Sequence, residues 1–231
     1  MGGKKFLLVE GKDDEHVLRH LCKNRDLGWI EEIEFWSGEG VEGLLENFPV
    51  RLKAGEEGDI VGVVVDADTD LSARWRSLRD RLTDFGYQGV RENPDPEGTV
   101  LEPPADKLLS RVGIWIMPDN QTPGILEDFL SFLVPPNSRL YAHVQASVGS
   151  IPEGEQRFKA HDKPKAIIHT WLAWQEEPGR PLRTAITARF LNPNVTQVDD
   201  FIVWLQRLYK PGDQTRADAD GWRELDSPPD R

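Results

Sequence analysis

Two apolar, β-type runs that end abruptly in carboxylates constrain this chain most. One is Phe6-Leu7-Leu8-Val9, closed by Glu10-Gly11-Lys12-Asp13-Asp14-Glu15; the other is Ile60 to Val65, closed by Asp66-Ala67-Asp68. Continuous Val/Ile/Leu runs are the mark of strands covered on both faces, as in parallel sheets with helices on either side. Ligands of such open sheets bind in the crevice beyond the carboxyl ends of the strands. Two strands that deliver Glu10, Asp66 and Asp68 to one crevice would cluster hard oxygen donors, which suit Mg²⁺ or Mn²⁺.

Local chemistry supports this placement. Gly11 lets the backbone turn sharply after Glu10, and Asp14 follows four residues later, one helical turn on. Asp66 and Asp68 are two apart, so on an extended chain both carboxylates point to the same side. Two like charges this close repel when partly buried, and an ion would relieve that repulsion. The plainer reading is that Asp13, Asp14 and Glu15 complement a helix macrodipole and that Asp70 caps the next helix. Asp13 and Glu15 fit that plainer reading, Glu10 the functional one, and Asp14 stands between them.

The remaining pattern alternates strand and helix. Strands are expected at residues 4–9, 33–36, 60–65 and 112–117, with a short one near Val100-Leu101 inside the irregular segment 91–107. Helices are expected from Asp13 or Asp14 through Cys22, and over residues 41–53, 71–85 and 124–134. This is an α/β class fold, a mostly parallel sheet with helices on both faces. After Pro135-Pro136 the character changes: residues 137–148, 164–175, 181–190 and 198–209 all read as helices. The expected organisation is an α/β core over residues 1–135, a helical extension over 136–210 packed on it, and a polar, flexible tail over 211–231.

The start Glu10-Gly11-x-x-Asp14, followed by Asp66-x-Asp68 on a later strand, resembles the TOPRIM domain shared by topoisomerases, bacterial primases and the OLD nucleases. It is also similar to small stand-alone TOPRIM-like proteins of unknown function. The resemblance implies a TOPRIM-like, Rossmann-like core and metal-dependent phosphodiester chemistry on nucleic acid or a nucleotide. It implies that Glu10, Asp66 and Asp68 are catalytic and hold Mg²⁺ or Mn²⁺. Asp14 and Glu127, the latter with Asp128 behind it, would complete a second metal position. In two-metal sites the ions stand roughly 3.5–4 Å apart. A late lysine, matched by Lys165 or Lys163, would assist at the phosphoryl group. The alternative carried by the same resemblance is a non-catalytic protein that binds a metal, a nucleotide or a protein partner. A different enzyme class is raised by Asp66-Ala67-Asp68-Thr69, which resembles the nucleophile motif of haloacid-dehalogenase-type phosphatases, though Asp70 stands where that motif has Thr or Val.

Charge bears on the choice. The formal net charge is −12, whereas the usual nucleic-acid footprint is a basic face. A tight, stand-alone duplex binder is therefore disfavoured, while a metal-bridged substrate or a groove supplied by a protein partner is not. The lone cysteine, Cys22, excludes an internal disulfide framework and reads as a small buried apolar residue. No run approaches the ~20 apolar residues of a membrane span, and the start reads as no signal peptide. The expectation is a cytoplasmic protein with no membrane association.

Overall fold

A computed structural model describes residues 3–53 and 56–210. Five strands form one sheet: β1 (Lys5–Val9), β2 (Glu34–Ser37), β3 (Ile60–Asp66), β4 (Thr99–Leu101) and β5 (Arg111–Met117), in the order β2-β1-β3-β5-β4. All neighbours run parallel except β4, which lies antiparallel to β5 at the edge. The first two crossovers are α1 (Lys12–Asn24) and α2 (Val41–Lys53), and α3 (Leu71–Phe85) follows β3. This is a Rossmann-like α/β architecture. From β1 the chain steps to β2 on one side and then to β3 on the other. The point where strand order reverses is therefore between β1 and β3, the position where open α/β sheets form their binding crevice.

Alternation along each strand builds two apolar layers. Leu7, Val9, Val64, Trp115 and Met117 face α1 and the C-terminal helix α7 (Thr196–Tyr209). Phe6, Leu8, Val61, Val63, Val65 and Ile114 face α2 and α3. Helix α7 buries Phe201, Trp204, Leu205 and Leu208 completely and sets Phe201 and Trp204 around Trp115, at ring-centroid distances of 5.3 and 5.8 Å. It comes this close because the strands carry glycines beneath it. Gly62 and Gly113 are register partners on β3 and β5. A Cβ on either would strike Leu208, and one on Gly62 would also strike the Tyr209 hydroxyl. That hydroxyl donates to the Phe6 carbonyl at 2.6 Å.

Between β5 and α7 in the chain come α4 (Leu126–Phe132), α5 (Arg139–Gly149) and α6 (Lys163–Ala173), with α4 and α5 both packed on α6. Helix α4 is shorter than the expected 124–134. Gly124 has φ +158° and Ile125 is extended, so the helix starts only at Leu126. The helix expected over residues 181–190 is not formed. That segment holds one 3-10 turn, Leu182–Thr184, after which the chain reverses. Thr184 turns its hydroxyl back on the Pro181 carbonyl, Arg189 takes φ +62°, and the amides of Phe190 and Leu191 both close on the Ala185 carbonyl. Among the described residues no helix is long and apolar enough to cross a membrane. The tail expected over 211–231 lies outside the described residues.

Candidate functional site

Glu10 and Asp66 end adjacent parallel strands, and the Asp66 amide donates to Glu10 Oε1 at 2.8 Å. Asp14 sits in the first turn of α1, with its Oδ2 so close over Gly11 that a Cβ there would stand 3.3 Å away. Glu127, in the first turn of α4, is buried to 6 % exposure. The sheet end thus gathers Glu10, Asp14, Asp66 and Glu127 from β1, α1, β3 and α4.

Burial and crowding act on these acids together. Burial is the largest cause for each, and it disfavours the charged form. Asp66 is pushed up to about 9, first by burial and then by Glu10, Asp14, Glu127 and Asp68. Glu10 is pushed up to about 7 by burial, opposed by the Asp66 amide and raised further by Asp14. Asp14 rises to about 6 through burial and the Glu127 charge. Burial also raises Glu127, against the opposing charge of Lys165 on α6. His169 Nε2 stands 4.0 Å from Glu127 Oε1. Asp66 Oδ1 is buried without a hydrogen-bond partner. Buried polar atoms are rarely left so, and each such atom calls for a reason.

Asp68 is held differently. It is exposed, takes φ +54°, and its amide donates to the Gly124 carbonyl at 2.9 Å, which pins the loop after β3 to the loop before α4. Its Oδ2 receives Arg74 Nη2 at 2.7 Å, while Arg74 Nε donates to the Asp66 carbonyl at 2.7 Å. Arg74 is the residue that sequence reasoning missed, because α3 reads as a charged surface helix. It lies one turn beyond the Asp70 cap, where Asp70 Oδ1 accepts the Ala73 amide at 2.9 Å, but the cap itself does not reveal where the guanidinium reaches.

The neighbouring polar residues are structural. Glu15 Oε2 accepts from Ser37 Oγ at 2.7 Å and its carboxylate pairs with Lys12 and Arg19. Asp119 Oδ1 closes a turn by accepting the Gln121 and Thr122 amides at 2.9 and 2.7 Å. Asn120 is buried and accepts the Ile116 amide at 2.7 Å. Asp128 Oδ2 accepts the Ile125 amide at 2.9 Å and so starts α4. Cys22 is fully buried, and its thiol is pushed up to about 12 by that burial.

The donor set fits a hard divalent cation: all oxygen, with one buried oxygen unsatisfied. Among the described residues, no three His, Cys, Asp or Glu side chains converge closely enough to hold an ion as they stand. Glu10 is turned onto the Asp66 amide and Asp68 onto Arg74.

Comparison with curated proteins and with solved structures gives no match. A protein-family model does match, over residues 4–210, and the chain therefore belongs to the family described as protein of unknown function, DUF3226.

Proposed function

We propose that this chain is a metal-dependent phosphodiester enzyme, of the TOPRIM-like kind, acting on nucleic acid or a nucleotide. Glu10, Asp14, Asp66, Asp68 and Glu127 would hold Mg²⁺ or Mn²⁺, and Lys165 would stand beside the phosphoryl group. The observation that carries this reading is Asp66: a strand-end carboxylate at the switch point, raised to about 9 by burial and four neighbouring acids, with Oδ1 unpartnered. Several acids buried together cost stability, so the cluster is not there for stability.

When bound, the ion would supply a Lewis acid at the phosphoryl oxygens. The residues of the chain do the rest. Glu10 and Asp66 fix the two strand ends against each other through the 2.8 Å hydrogen bond. Arg74 holds the Asp68 loop by two contacts. Lys165, whose charge reaches Glu127, would stabilise charge that develops on the substrate. Without an ion, burial and the neighbouring acids favour the protonated form of Asp66.

The test is cleavage of a labelled oligonucleotide and of an activated phosphodiester, by wild type and Asp66→Ala, with Mg²⁺ or Mn²⁺. Ion-dependent turnover lost in the variant is expected. Equal turnover in the variant, or none with either ion, overturns the reading.

A second reading, a non-catalytic metal-, nucleotide- or partner-binding protein, is favoured by one observation. Asp68 is already paired with Arg74, so its carboxylate is not free for an ion until that pair opens. Ion binding without turnover would select it.

A further inference from the structure

Two cavities open beside the carboxylates. One, of about 370 Å³, lies among α4, α5 and α6 and is lined by Glu127, Ser131, Tyr141, Gln145 and Lys163. The other, of about 340 Å³, follows the loops after β3 and β5 and is lined by Asp68, Thr69, Ile125 and His161. Asp128, Ala160 and Pro164 line both. The two adjoin through those shared residues, with Asp68 lining one and Glu127 and Gln145 the other; they are treated together as one groove.

Resting on the metal-dependent reading above, we propose that this groove takes one unpaired nucleotide unit, with its base between α4, α5 and α6 and its phosphate toward the carboxylates. Size is the first argument. Each half falls in the range of small-molecule sites, roughly 300–1,000 Å³.

The lining supplies the second argument. Tyr141 is half-buried and held edge-on against Trp171, with centroids 6.1 Å apart at 90°, so an aromatic wall is fixed before anything binds. Gln145 is exposed and offers both a donor and an acceptor, the pair needed to read a base edge. Lys163 offers a charge for a phosphate.

Charge supplies the third. Among the described residues that line the groove, Lys163 alone carries a full positive charge, in a chain of net charge −12. Duplex binding draws its affinity from many Lys and Arg contacts to successive phosphates. One phosphate needs only Lys163 and a bound cation. A free nucleotide and an unpaired strand terminus share this chemistry.

The test is equilibrium binding in Mg²⁺ of nucleoside monophosphates, a short single strand and a blunt duplex to the full chain, read by tryptophan fluorescence. Monophosphates and single strand should bind, and the duplex should bind at least about tenfold more weakly. Equal affinity for monophosphate and strand identifies the free nucleotide as the source; a tighter strand identifies the terminus. Gln145→Ala and Lys163→Ala, both at exposed positions, should each weaken monophosphate binding about tenfold, the loss of one hydrogen bond to a charged or reading partner. Neither should alter the rise in melting temperature caused by Mn²⁺. A duplex that binds as tightly as the strand overturns the proposal. So does absent nucleotide binding while Mn²⁺ still stabilises the protein, which leaves the metal reading in place. Nucleotide binding without any Mn²⁺ response supports the groove and overturns the metal reading.

Discussion

The Asp66 amide donates to Glu10 Oε1 at 2.8 Å, across the one gap in the sheet where strand order reverses. That bond makes Glu10 a structural brace as well as a donor for an ion. It also explains why Glu10 is raised less than Asp66: the amide favours the charged form of Glu10, whereas Asp66 Oδ1 receives nothing.

The first prediction concerns pH. Glu10, Asp14 and Asp66 have ordinary values of 4.5, 3.8 and 3.8, and folded values of about 7, 6 and 9. In that interval the native state holds more protons than the unfolded chain, so stability falls as pH rises. The contribution is fully present below about pH 4 and is lost by about pH 9. Because the three acids interact, they titrate as a unit. Thermal melts in a chelator should show a lower melting temperature at about pH 8 than at about pH 5. With saturating Mn²⁺ the decline should shrink, because the ion replaces the protons. A melting temperature that rises over this interval in chelator would refute the coupling.

Arg74 carries the second. Its side chain is 13 % exposed and makes hydrogen bonds to both the Asp66 carbonyl and Asp68. Arg74→Ala should destabilise the protein by about 1.5–3 kcal/mol, the range for bonds to charged groups. Arg74→Lys should recover less than half of that, since an ammonium cannot span both acceptors as a planar fork does. Urea unfolding of the three proteins measures it, and full rescue by lysine would refute the two-point contact.

Much of this arrangement is legible in the sequence, for physical reasons that differ by residue. Strands β1, β3 and β5 are buried on both faces, so their apolar runs stand out, and a carboxylate at the end of such a run announces itself. The Asp70 cap is legible because capping is local. Arg74 is not, since a guanidinium on a charged helix gives no sign of where its fork ends. Residues 181–190 carry helical periodicity, but the turn at Leu182–Thr184 packs against α1 and the chain reverses from Ala185 to Leu191, which periodicity does not foretell. The seat of α7 was also hidden. Gly62 and Gly113 read as strand glycines, and their meaning, a slot for Leu208, requires the register of two strands about fifty residues apart in the chain to be known.

The third prediction tests that slot. Gly113→Ala puts a Cβ 2.5 Å from Leu208 Cδ2 and 2.9 Å from its Cδ1. Leu208 is fully buried and cannot swing away. Overpacking of this kind costs about 1–3 kcal/mol. Gly113→Ala combined with Leu208→Ala, itself a loss of about 2–5 kcal/mol, should cost less than the sum of the two single changes, because the added methyl then occupies space the leucine vacates. Additive losses in the double variant would show that the two residues do not share the slot.

Asp68→Asn gives the last prediction, and it joins metal and stability. The repulsion argument from sequence alone expects removal of one acid to stabilise the metal-free protein slightly. The structure changes that expectation, because Asp68 is paired with Arg74 and is 48 % exposed at its side chain. An exposed pair contributes about 0.2–1 kcal/mol, which offsets the relief of repulsion on Asp66. Asparagine tolerates the left-handed φ of +54° as well as aspartate does, so the loop keeps its shape. The melting temperature in chelator should therefore be nearly that of wild type. The response to Mn²⁺ should not be. An ion bound only by the folded state adds about 2.7 kcal/mol at a hundred times its dissociation constant, and the variant, one charged donor short, should lose most of that gain at the same Mn²⁺ concentration. Paired melts of wild type and variant, with and without Mn²⁺, read both quantities at once. A variant that gains as much from Mn²⁺ as wild type would remove Asp68 from the site and leave its carboxylate as Arg74's partner alone.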